Sequence, residues 1–171
     1  MRVCTISDVC NWAIQIEQQG ELFYEQASGY SDDKDLRKLL VYLKNQEIKH
    51  IRRFTALNNA FSKKKSPFTV DQQFENLLDA FMRGMAFFDV SEVRDKISRG
   101  KKAGTKDLLR LAMDVELNTL LFYQKLSEYI RSKPAKSALS AIIREEESHL
   151  IKLRNLRKEK DPLYGQISPR L

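Results

Sequence analysis

The chain has 171 residues, 42% hydrophobic and 31% charged, which is the composition of one ordinary globular domain and excludes disordered and fibrous classes. Its formal charge of +7 does not mark a nucleic-acid binder: Lys63, Lys64, Lys65, Arg99, Lys101 and Lys102 fall in connections, other basic residues alternate with acids, and no aromatics interleave with them as a stacking platform. No apolar run approaches the roughly 18 residues of a membrane span, Met1 to Cys4 lacks a signal-peptide core, and Cys4 and Cys10 are too few for a disulfide framework, so the expectation is a cytoplasmic protein with no membrane or nucleic-acid partner.

In chain order, Ser7 and Asp8 offer an N-cap for a first helix over about 8–28. The polar run from Gly29 to Asp33 turns the chain, and Ser31 or Asp32 caps a second helix over about 32–60. This helix carries the stripe Leu36, Leu40, Leu43, Glu47, His50, Phe54 and Leu57 on one face. Residues 62–104 read as a long crossover with short helices: Phe74, Leu77, Leu78, Phe81, Met82 and Met85 recur at helical spacing after Asp71, and a second short helix fits Ser91 to Ser98. Those apolar groups need a cover, either the flank of the long helices or another subunit. Thr105 and Asp107 start a third long helix over 105–130, Pro134 suits the first turn of a fourth over 134–158, and 159–171 reads as a tail.

Glu47 and His50 interrupt an apolar stripe, where a carboxylate needs a partner. At i and i+3 they project from one helix face and can share one cation. A single Glu-x-x-His is a weak signal, but the chain holds two. Leu139, Ile142, Glu146, His149, Leu153 and Leu156 repeat the stripe, and Glu17 and Glu116 each stand thirty residues before Glu47 and Glu146. A shift of ninety-nine residues superposes the halves and carries Leu22, Phe23, Tyr24 onto Leu121, Phe122, Tyr123, which marks an internal duplication. Each pair of glutamates is centred on a turn, about 20 Å from it at 1.5 Å per residue, so they face each other across antiparallel helices. The fold expected is all-α: a four-helix bundle of two duplicated hairpins in a single domain.

One glutamate on each of two helices and Glu-x-x-His on each of the other two is the ligand pattern of ferritin-like carboxylate-bridged dimetal proteins. With tyrosine seven residues after Glu17 and Glu116, the chain resembles the rubrerythrin branch of that superfamily over all four long helices. The resemblance implies a metal site in which Glu47 and Glu146 bridge two ions, Glu17 and Glu116 are terminal ligands, and His50 and His149, the two histidines of the chain, bind one ion each. Oxygen and nitrogen donors suit two iron ions, with manganese or zinc able to compete. Tyr24 and Tyr123 are either core tyrosines or hydrogen-bond donors to the ligand carboxylates. Glu21, Glu145 and Glu147 belong to solvated faces or to the surroundings of the ligands.

Two departures from rubrerythrins stand out: no pair of C-x-x-C motifs follows the fourth helix, and the turn after Glu116, where rubrerythrins add a carboxylate, offers Thr119 and Leu120. The function implied is a non-haem di-iron oxidoreductase of oxidative-stress chemistry, taking peroxide or dioxygen and fed by an external electron donor such as a rubredoxin-like protein. Iron oxidation for iron handling, and a bundle merely stabilised by metal, are the alternatives. The apolar crossover, Phe74, Phe81, Phe87 and Phe88 among it, suggests a homodimer contact.

Overall fold

A computed structural model describes residues 2–61, 67–82 and 104–164 of the chain. The described elements are β1 (Arg2–Cys4), α1 (Ile6–Tyr30), α2 (Lys34–Phe61), β2 (Phe68–Val70), α3 (Gln72–Met82), α4 (Thr105–Tyr129) and α5 (Lys133–Lys160). Short turns fold α1 on α2 and α4 on α5 into two hairpins, which meet along α1–α4 and α2–α5 to make a four-helix bundle. None of the described helices is long and apolar enough to cross a membrane.

The helix ends follow from capping chemistry, and three of them differ from the sequence reading. Thr5, rather than Ser7 or Asp8, caps α1: its hydroxyl accepts from Asp8 N while the Asp8 carboxylate accepts from Thr5 N at 2.7 Å, a reciprocal box. Asp8 thus serves the cap from inside the helix, freeing Ser7 to donate to Asn58 on α2 at 2.6 Å. Gly29 does not stop α1, which continues to Tyr30. Asp33, rather than Ser31 or Asp32, caps α2 by accepting from Asp35 N and Leu36 N, both at 3.0 Å. Pro134 lies in the first turn of α5, where its missing N–H would have had no helical partner. Lys160 at the end of α5 closes onto Asp33 and Asp35, tying the two hairpins together at that end.

The strands were not evident from the sequence. β1 and β2 pair antiparallel, Arg2 with Val70, Val3 with Thr69 and Cys4 with Phe68. Three residues are too short for period-two patterning, and such a pair is marginal without a core to rest on. Here Cys4 and Val70 are buried, Arg2 lies 5.3 Å over the Trp12 ring, and the pair fastens the crossover to the start of α1.

The α3 helix corrects the reading of its aromatic face. Phe74 and Phe81 are buried within the chain rather than left for another subunit: Phe74 packs on Trp12, Phe122 and Tyr129, and Phe81 on Phe122 with ring centroids 4.6 Å apart. Asp71 caps α3 through Phe74 N and accepts from the Tyr129 hydroxyl at 2.7 Å, which locks α3 to α4. Phe87, Phe88 and the short helix expected at 91–98 lie outside the described residues. Because Phe74 bridges three elements, Phe74→Ala should cost about 3–5 kcal/mol of stability in urea denaturation; a loss below about 1 kcal/mol would show that α3 is not part of the bundle core.

Candidate metal centre

Six polar side chains are buried where the hairpins face each other: Glu17 from α1, Glu47 and His50 from α2, Glu116 from α4, and Glu146 and His149 from α5. None is more than 4% exposed. They form two overlapping groups. Single donor atoms of Glu17, Glu47, His50 and Glu146 lie within 4.8 Å of one another, and so do those of Glu47, Glu116, Glu146 and His149. Glu47 and Glu146 belong to both groups, so the centre is built as two adjoining positions with a shared wall.

Both imidazoles turn Nδ1 into the cluster. His50 Nδ1 stands 3.1 Å from Glu146 Oε1, 3.2 Å from Glu17 Oε2 and 3.6 Å from Glu47 Oε2. His149 Nδ1 stands 3.1 Å from Glu146 Oε2 and 3.6 Å from Glu116 Oε2. The two rings stack with centroids 5.8 Å apart. A ring nitrogen carries at most one proton, so His50 Nδ1 cannot serve three carboxylate oxygens at once. Glu146 Oε1 and Glu116 Oε2 are indeed left fully buried without a hydrogen bond. Orphaned buried oxygens of this kind are costly, and a cation between them would satisfy several together. The donor set, four carboxylates and two imidazoles, therefore fits a pair of divalent ions.

Tyr24 and Tyr123 are brought to the centre, though not to the glutamates of their own helices. Seven residues span about 10 Å of helix, beyond reach of the residue's own glutamate. Each tyrosine instead crosses the α1–α4 seam: the Tyr24 hydroxyl donates to Glu116 Oε1 at 2.6 Å, and the Tyr123 hydroxyl donates to Glu17 Oε1. One oxygen of each carboxylate is thereby fixed, leaving Oε2 turned towards a histidine.

Burial and crowding set the protonation of the metal-free cluster. Burial, then repulsion from Glu17 and Glu146, pushes Glu47 well above the carboxylate range, and burial with Glu146 beside it pushes Glu116 up to about 8. Burial acts to raise Glu146 as well, but the imidazoles of His149 and His50 beside it outweigh that and hold the carboxylate low. Burial disfavours protonated His149, yet the carboxyl groups of Glu116 and Glu146 beside it raise it to about 9. Burial and the neighbouring Glu116 or Glu17 keep the tyrosine protons in place.

Four residues near the centre escaped the sequence reading or were assigned only loosely. Gly20 lies one turn after Glu17, and a Cβ there would stand 3.3 Å from Glu47 Cδ, so the absent side chain makes room for the shared carboxylate. Glu145 is half-buried, stands 3.1 Å from His50 Nε2 through Oε2, and accepts from Arg53 at 2.5 Å through Oε1. The duplication concealed this role, since it maps Glu145 onto the uncharged Gln46. Glu147 is exposed and Glu21 half-buried.

The sequence profile of the rubrerythrin family matches residues 8–157. Among solved structures, a protein from Thermotoga maritima described as a ferritin-like diiron-carboxylate protein is 26% identical, covers 94% of this chain and 99% of its own, and superposes with a TM-score of 0.67. No curated protein matches the chain.

The protonation pattern gives a pH dependence with a definite sign. Glu47 and Glu116 bind protons more tightly folded than unfolded, so their contribution is complete below 4.5 and is lost as pH rises through about 8 for Glu116. His149 acts in the same direction, its contribution complete below 6.5 and lost as pH rises through about 9. Glu146 has the opposite sign, stabilising above 4.5 and losing that contribution as pH falls. Metal-free protein in chelator should therefore melt at progressively lower temperature from pH 6 to pH 9, and saturating ferrous or manganous ion should widen its advantage over that range. A melting temperature independent of pH in chelator would refute this.

Proposed function

The chain belongs to the rubrerythrin family and folds as a ferritin-like bundle, and from that premise we propose that its six buried ligands hold two iron ions and that it is a non-haem di-iron oxidoreductase acting on hydrogen peroxide or dioxygen. The observation that carries this reading is the sharing of Glu47 and Glu146 between two groups of donors. Glu17 and His50 complete one position and Glu116 and His149 the other. Four carboxylates balance the charge of two divalent ions, and manganese or zinc fits the same donors.

Held by these six residues, a ferrous pair would supply, on passing to ferric, the two electrons that with two protons reduce one hydrogen peroxide to two waters. The protein's part is to hold the donors in register. Tyr24 and Tyr123 retain their protons and fix one oxygen each of Glu116 and Glu17, while Gly20 leaves Glu47 the space to span both positions. Further turnovers need reduction from outside these 171 residues, which contain no C-x-x-C motif; a rubredoxin-like protein has the required one-electron chemistry.

Elemental analysis of protein loaded anaerobically with ferrous ion should find two irons per chain. Glu47→Ala and Glu146→Ala each remove a shared ligand and should abolish the pair, whereas His50→Ala should weaken one position. Free metal at about 100 times its dissociation constant should add roughly 2.7 kcal/mol of stability. Zero or one tightly held ion in the wild type would defeat the reading. Loaded protein should consume about one peroxide per iron pair and continue only with an added donor; oxidation coupled instead to accumulation of many irons per chain would assign the site to iron handling.

A further inference from the structure

The two halves of the centre are matched in their ligands but not in what stands behind the histidines. His50 presents Nδ1 to the carboxylates and has Nε2 3.1 Å from Glu145 Oε2, whose other oxygen accepts from Arg53 at 2.5 Å. Glu145 comes from α5 and Arg53 from α2, so this chain of contacts runs across the α2–α5 seam. The shift of ninety-nine residues maps Glu145 onto Gln46 and Arg53 onto Lys152. Neither keeps its counterpart's role. Gln46 is buried and uncharged, its Oε1 accepting from Lys49 at 3.3 Å. Lys152 donates to Ser148 at 2.5 Å and lies 5.6 Å over the Tyr42 ring. Among the described residues, the carboxylates within ion-pair distance of His149 are Glu116 and Glu146, both on the Nδ1 side.

A carboxylate that accepts from one imidazole nitrogen fixes the tautomer, aims the ring and makes the other nitrogen a better donor to a metal. A neutral amide does this far less, since a charge-assisted hydrogen bond is roughly twice as strong as a neutral one. We propose that Glu145, fixed by Arg53, is a positioning residue for His50, and that the other half, where the repeat carries Gln46 in place of Glu145, gives His149 no such carboxylate, which makes the two metal positions unequal, the His50 position taking the first divalent ion and holding it more tightly. The inference rests on the two-metal reading above and adds an order of filling to it. Inequivalent positions would let one ion remain resident while the other is the more readily gained and lost.

The test is titration of metal-free protein with cobaltous ion, followed by calorimetry and by visible absorption, which reports coordination without any turnover. Wild type should bind in two distinguishable steps. Glu145→Gln keeps the size of a half-exposed side chain and should weaken the first step by about 10–100-fold while leaving the second in place. Arg53→Ala, which frees Glu145 without removing it, should give a smaller loss of the same step. His149→Ala should retain the tight step and His50→Ala should lose it. Gln46→Glu should tighten the second step towards the first, a gain that general damage to the fold cannot produce and that tests the idea even where a loss variant folds poorly. Two equal steps in wild type, an unchanged first step in Glu145→Gln, or a tight step that survives His50→Ala would overturn the proposal. Failure of wild type to bind a pair at all would instead defeat the two-metal reading itself.

Discussion

Burying four carboxylates within reach of one another is the constraint on which the rest of this molecule depends. An uncompensated buried charge costs several kcal/mol, and Glu17, Glu47, Glu116 and Glu146 have only two imidazoles to share between them. Without a cation the cluster divides the burden unequally. Glu146 keeps its charge between the two histidines while Glu47 and Glu116 hold their protons. A pair of divalent ions would replace those protons and reach the oxygens that no hydrogen bond satisfies, which would link folding and metal binding through the same atoms.

The long helices are the means of meeting that constraint. Placing a glutamate near the middle of each lets the apolar stripes above and below seal the cluster from water, and the short turns bring opposing glutamates level. The tyrosines then join the two hairpins across the α1–α4 seam. Tyr24 reaches from α1 to α4 and Tyr123 from α4 to α1, so Glu17 and Glu116 are each oriented by the opposite hairpin. Neither hairpin presents a complete site alone, because both groups of donors draw on helices from both.

The crossover contributes to the same end. Phe74 and Phe81 on α3 pack against Phe122, whose ring meets Tyr123 edge-on at 5.8 Å, and Tyr123 in turn holds Glu17. The β1–β2 pair and the Asp71–Tyr129 hydrogen bond keep α3 in place. Phe74 and Phe81, which look available for a partner in the sequence, thus support the setting of Glu17. The apolar side chains left exposed on the neighbouring helices α1 and α4 are Leu22, Leu117 and Leu121 instead.

The sequence by itself determined the all-α class, the two hairpins and the six buried donors, because apolar periodicity, paired Glu-x-x-His and a constant thirty-residue spacing are properties of one helix or of one repeat compared with another. Helix ends were less legible, since Thr5 and Asp33 compete with equally suitable neighbours and only backbone geometry chooses between them. What tertiary structure alone decided are relations between elements distant in the chain. That each tyrosine serves the opposite helix, that Gly20 makes room for Glu47, that Phe74 and Phe81 face inward, and that Glu145 backs His50 with Arg53 all depend on how the seams align. The duplication revealed the six buried donors because both copies carry them. It concealed Glu145 for the converse reason: a residue that distinguishes the two halves has no counterpart for a repeat to reveal.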